Sequence, residues 1–184
     1  MKRRFALARI LFACGLVFVL AACGGDSDDP TPTPVELTPT PGGIDIPTGE
    51  RPDGDFSVLT QRLLIENCRV TVPLDWTSFG TGTGETSSRA RFTINGGSIA
   101  SDDAWEEAVQ LVASQAMRQG VESLTRGDDW VYAVQSGNRG FTFRARFDNQ
   151  FCDVAVQGTD AIPETERATW PAVIGSVEAE PLEP

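Results

Sequence analysis

The chain has 184 residues, 26 of them Asp or Glu and 15 Lys or Arg, giving a formal charge of −11, and it contains no histidine. Without an imidazole, Ser-His-Asp and Cys-His catalysis are excluded and the commonest metal ligand is lost. The acidic balance repels phosphate, which excludes nucleic acid as a partner.

Residues 1–22 have the order of a secretion signal. Lys2, Arg3, Arg4 and Arg9 form a basic leader without an acid, and residues 10–22 are an unbroken apolar and small run, too short to remain in a bilayer as a permanent helix. The run ends in Leu20-Ala21-Ala22-Cys23-Gly24, which resembles the lipobox of bacterial lipoproteins. That resemblance implies that the Cys23 thiol accepts a diacylglyceryl group and that the leader is cut ahead of it. Cys14 follows Leu11-Phe12-Ala13 with a similar outline, but bulky Phe12 fits a small-residue position poorly. Losing the leader moves the formal charge from −11 to −15. Each buried methylene contributes about 0.8 kcal/mol, so two or more acyl chains hold a protein on a membrane. The expected location is therefore the extracytoplasmic face of the cell membrane, with the membrane itself as the first partner.

Residues 23–55 read as the lipidated cysteine and a disordered, acidic, Pro/Thr/Gly-rich tether. Seven of the chain's 12 prolines lie here, with Thr-Pro steps at Thr31, Thr33, Thr38 and Thr40. Proline fixes φ and pushes the preceding residue toward extended backbone, so the segment favours polyproline II. Its full reach is on the order of 100 Å, and its threonines permit O-glycosylation. With Cys14 removed and Cys23 lipidated, two cysteines remain, Cys68 and Cys152. An even count in an oxidising compartment predicts that they pair, and closing so long a loop contributes roughly 4 to 5 kcal/mol in the chain-entropy model.

Residues 56–184 are expected to form one α+β domain of about 129 residues, which bounds its core. Residues 59–65 read equally as a strand or a helical turn. Strands are expected at 69–72, 89–94, 121–125, 130–135, 141–147 and 151–156, rich in β-branched and aromatic residues between turn formers. Asp103 and Glu106 resemble a capping box, and Gly120 closes the helix they open. Trp105, Ala108, Val109, Val112 and Ala116 recur at steps of three and four along it, so it lays an apolar stripe on a sheet. The reversals Gly137-Asn138-Arg139-Gly140 and Asp148-Asn149 join the last three strands into an antiparallel meander. A closing helix begins at Pro163 and breaks near Pro171 on its way to Ser176. The whole predicts an antiparallel sheet of about five to six strands, with the long helix and the C-terminal helix on opposite faces.

This order resembles the PsbP-like α/β/α sandwiches. The resemblance is carried by Val70-Thr71-Val72-Pro73-Leu74-Asp75-Trp76, similar to the strand-Pro-x-x-Trp opening of those domains, and by residues 170–177, similar to their final Ile-x-Ser helix end. It implies a non-enzymatic accessory or assembly role and brings no catalytic residues and no cofactor.

Arg89 and Arg91, and Arg144 and Arg146, alternate with Ala90, Phe92, Phe143, Ala145 and Phe147. A period of two puts each arginine pair on one sheet face. The four form either an anion or partner patch, since guanidinium forks suit carboxylates and phosphates, or a solvated face paired with the domain's own acids. Asp102-Asp103 and Asp128-Asp129 lack the ligand spacing of a calcium loop and fit a first helical turn and a tight turn. Trp76, Trp105, Trp130 and Trp170 read as core, and Gly80-Thr81-Gly82-Thr83-Gly84 as a hairpin loop, because no Lys-Ser/Thr follows it to make a phosphate cradle. The functional expectation is a lipid-anchored, non-enzymatic binding domain with an envelope protein as partner. The alternatives are a histidine-independent hydrolase or a carrier of a small ligand.

Overall fold

The computed structural model describes residues 39–40 and 43–180. The leader, Cys14, the lipidation residue Cys23 and most of the Thr-Pro spacer lie outside the described residues. In chain order the elements are β1 Pro39–Thr40, β2 Gly43–Ile44, a 3-10 turn Phe56–Val58, β3 Gln61–Ile65, β4 Cys68–Val72, β5 Thr77–Ser78, β6 Thr83–Glu85 and β7 Arg91–Ser98. Helix α1 Asp102–Gln119 follows, then β8 Val121–Arg126, β9 Trp130–Gln135, β10 Gly140–Phe147, β11 Gln150–Gln157, α2 Glu164–Arg167, α3 Trp170–Gly175 and β12 Glu178–Ala179. No helix among the described residues is long and apolar enough to cross a membrane.

The fold is α+β and its strand pairs are antiparallel. A seven-stranded sheet runs β5-β6-β7-β11-β10-β9-β8, a three-stranded sheet runs β12-β4-β3, and β1 and β2 form a short hairpin. The four strands after α1 make a meander whose reversals use residues at positive φ, Gly137, Asn138 and Asp148 among them. The expected single sheet of five to six strands is thus corrected to two sheets. Hairpin β3-β4 leaves the large sheet because Cys68, Val70 and Val72, all fully buried, point down onto it, while β12 takes the far side of β4. The large sheet gains β5 and β6 from the glycine-rich segment, where two- and three-residue strands are too short to show alternation.

Period-two alternation gives the large sheet two apolar faces. One carries Phe92, Ile94, Phe141, Phe143, Val154 and Val156 against Val70 and Val72 of β4 and Trp170, Val173 and Ile174 of α3. Burying each such aromatic or aliphatic side chain stabilises by roughly 1.5–3 kcal/mol. The other presents Leu124, Val131 and Ala133 to Trp105, Val109, Val112, Ala113 and Ala116 of α1. The layers are therefore α1, the seven-stranded sheet, and a mixed layer of the small sheet with α2 and α3. All four tryptophans are core residues.

Helix α1 starts two residues earlier than the capping box implies. Ser101 is its N-cap, its hydroxyl accepting from the Ala104 N–H at 3.2 Å, and the Glu106 carboxylate is engaged instead by Arg126. Gly120 ends it at φ 78, a conformation that a side chain disfavours. At the C-terminus Pro163 precedes α2 and Pro171 opens the first turn of α3, so the expected break divides two short helices.

The ordered domain also reaches further toward the N-terminus than the expected boundary at residue 56. Both polar atoms of the Gln110 amide bond the backbone of Ile44, accepting from its N–H at 2.7 Å and donating to its carbonyl at 3.2 Å. Ile46 is buried in the core beneath α1. Thr48 bridges to Arg126, with backbone bonds from Gly49 N–H to Arg126 O and from Arg126 N–H to Pro47 O. Arg51 donates to the carbonyls of Ile174 and Val177 at 2.9 and 3.0 Å and lies over the Phe143 ring at 5.1 Å. Proline and aspartate dominate this segment's composition and hide two isoleucines and one arginine that dock it.

Candidate functional site

On the α1 side of the large sheet, β7 presents Arg91, Thr93 and Asn95, β11 presents Asp153, Ala155 and Gln157, and β10 presents Thr142, Arg144 and Arg146. Registration aligns them in rows: Asn95 with Asp153 and Arg144, Thr93 with Ala155 and Thr142, and Arg91 with Gln157. Helix α1 packs on β8, β9 and the near side of β10. Beyond β10 the face is polar and small: the main sheet contacts of α1 stop at β10, Phe151 at the start of β11 packs against the α1 cluster, and Thr93, Asn95, Ala155 and Gln157 lie outside it. Along α1 itself, Ala104, Glu107, Ala108, Leu111 and Ser114 join Arg144 to line a shallow depression of about 470 Å³. Leu111 is half exposed, the large apolar residue of this flank.

Arg144 sits at the junction of helix flank and open face. It grips Asp153 in a bidentate pair, Nε to Oδ1 at 2.5 Å and Nη2 to Oδ2 at 2.6 Å, reaches the Ala108 carbonyl at 3.4 Å, and stacks over Phe151 at 5.1 Å. Both side chains are only 17% exposed. Arg146 pairs with Asp102 at 2.6 Å and donates to the Asp148 carbonyl.

The four arginines are therefore not brought together as one anion receptor. Arg144 and Arg146 are paired with the domain's own acids, the second of the two expectations. Arg91 opens β7, exposed and separated from β10 by β11, whereas Arg89 lies off the strand in a turn at φ 64. That turn is closed by Thr86 N–H to Ala90 O at 2.8 Å, so alternation over 89–94 begins two residues too early. It is held from α2 by Glu166, whose Oε2 accepts from the Ser87 hydroxyl at 2.7 Å and the Ser88 N–H at 2.8 Å.

Asp102 and Asp103 occupy the first turn of α1, where the helix dipole favours acids. Asp128 and Asp129 form the β8-β9 turn, their carbonyls accepting from Trp105 Nε1 and Arg146 N–H. Among the described residues no three acidic or thiol groups are arranged to hold a metal ion. Cys68 on β4 and Cys152 on β11 are both buried in the same core cluster, each a free thiol here and not joined in the expected disulfide.

Asp153 and Arg51 are the residues that composition and motif reasoning passed over. Asp153 had a signal. A two-residue reversal at Asp148-Asn149 sets Phe147 opposite Gln150 and, three steps on, Arg144 opposite Asp153, which is the observed register. Arg51 had none, because its partners are backbone carbonyls more than 120 positions away.

No family model matches the sequence, and no curated protein matches it. Among solved structures, the chain is similar to the solution structure of cyanobacterial PsbP (CyanoP) from Synechocystis sp. PCC 6803, at 11% identity, covering 66% of this chain and 93% of that one, with a TM-score of 0.41.

Proposed function

We propose that this chain is an exported lipoprotein, anchored through acylated Cys23 on the extracytoplasmic face of the cell membrane, whose domain docks an envelope protein without turning over a substrate. The address rests on the basic leader and on Leu20-Ala21-Ala22-Cys23. The docking role rests on one observation: on the β7 and β11 part of the large sheet's α1 face, Thr93, Asn95, Ala155 and Gln157 form a polar and small run outside the cluster that α1 covers, with Asn95 and Gln157 exposed. Polar strands beside a partly apolar helix flank suit the hydrogen-bonding rim and apolar anchor of a protein interface.

Two measurements test the reading. Cys23→Ala moves the chain from the detergent to the aqueous phase on partitioning; a variant that stays in the detergent phase removes the anchor. A photocrosslinking residue at Asn95 captures a partner that the same probe at Asp160, on a loop elsewhere, does not, and Ala155→Arg abolishes the adduct. Equal capture from both positions, or capture unchanged by Ala155→Arg, removes the docking face.

A further inference from the structure

We infer that Cys68 and Cys152 are a cross-sheet disulfide site that is oxidised while the chain folds and is sealed once the sheets have closed. The inference rests on the exported reading, since a cytosolic chain keeps its thiols reduced. The geometry comes from three relations. Cys152 on β11 is registered directly opposite Gly96 on β7. A Cβ placed on Gly96 would lie 3.3 Å from Cys68 Cβ and would also strike the Asn67 side chain, so Cys68 of the upper sheet sits directly over the Gly96-Cys152 pair. The missing side chain at position 96 opens space between the two buried thiols. Cys152 Sγ also lies 3.3 Å from the Glu178 carbonyl on β12, the strand registered beside Cys68 through Ala179.

Both residues are fully buried. The thiol of Cys152 and the burial together hold the Cys68 thiol protonated, far above the ordinary cysteine range. Only a thiolate attacks a disulfide, so the closed domain is unreactive and the exchange belongs to the open chain. There, one cysteine thiolate attacks a sulfur of an oxidised dithiol-disulfide carrier, breaking the carrier's S–S bond and releasing a carrier thiolate. The second cysteine thiolate then attacks the mixed disulfide at the first cysteine's sulfur, forming the Cys68–Cys152 bond and freeing the carrier's second thiolate. Two electrons and two protons pass from the cysteine pair to the carrier.

Two arms test this separately from the address. In the first, the native full-length chain is extracted from its membrane, unfolded without reductant and treated with maleimide. No label at Cys68 or Cys152, and label at both after reduction, is the expected result. Processed chain recovered in the detergent phase with two labelled thiols overturns the crosslink while leaving the anchor standing. Chain found in the cytosol with its leader uncut overturns the anchor, and the second arm then decides the crosslink alone.

In that arm the full chain carrying Cys14→Ala and Cys23→Ala is unfolded, reduced and refolded with oxidised glutathione, which serves as the carrier. Refolding with the oxidant present yields the intramolecular bond, read as a loss of two mass units. Adding the same oxidant after refolding gives oxidation at least about a hundredfold slower, because reaction then waits on opening. Refolded protein with two free thiols, or equal oxidation rates before and after folding, overturns the inference.

Discussion

At the Arg144-Asp153 pair two charges leave water in exchange for two short hydrogen bonds and an aromatic face. Desolvation of a partly buried guanidinium is repaid only while its carboxylate is present. Asp153→Ala is therefore expected to lower stability by about 1–3 kcal/mol in urea unfolding. Arg144→Met combined with Asp153→Ala restores part of that loss, because no unpaired charge is left behind. A double variant less stable than Asp153→Ala alone would show that the pair's net contribution exceeds its desolvation cost. Glu166 illustrates the opposite economy: one carboxylate oxygen fixes the 86–90 turn, and the other is buried without a partner.

Helix α1 is tied to the sheet's edge by a forked bond, Arg126 to Glu106 at 2.7 and 2.8 Å. The Arg126 hydrogen bond, assisted by Gln110 and the guanidinium charge, outweighs a small desolvation penalty and holds the Glu106 carboxyl below its usual range. The sign follows directly. A carboxylate with a depressed folded pKa contributes fully above its ordinary value near 4.3, and the contribution fades as pH falls through the depressed value. Glu106→Gln is thus expected to destabilise by about 0.2–1 kcal/mol at pH 7, the modest worth of a half-exposed pair, with the difference closing as pH falls through the depressed folded value. A difference in urea midpoint that persisted in acid would refute the assignment. The helix that carries this pair was legible in sequence because its apolar stripe and Gly120 are local signals. Its true cap, Ser101, was overshadowed by the more conspicuous Asp103-Glu106 spacing, since both patterns place an oxygen acceptor near the same orphan amides.

Over the whole molecule, alternation revealed the strands from 121 onward within a residue or two, because each is long, half apolar and followed by a strong reversal. What alternation does not encode is which sheet a strand joins. Strand β4 has the same period as β10 and stacks over the large sheet instead of extending it. Within the candidate site, the arginines were visible by type and spacing, but their acidic partners required register, which only the turn lengths supply. The N-terminal boundary makes the same point with a test attached. A chain beginning at Phe56 lacks Ile46, the Pro47 and Gly49 backbone bonds and the Arg51 cap of α3, and is expected to unfold several kcal/mol more easily than one beginning at residue 39. Equal urea midpoints for the two would return residues 43–55 to the status of a spacer.

That docked stretch also settles how the domain responds to being tugged. A pull arriving along the backbone ahead of Gly43 loads the two Gln110 hydrogen bonds to Ile44 together, with buried Ile46 next along the chain. Beyond these the strain passes to Thr48 at the outer edge of β8 and to Arg51 under α3, so it is shared between opposite sides of the sheet before any long strand pair is stressed. The segment is therefore expected to peel before the long strand pairs part, a mechanical fuse ahead of the core between the two sheets.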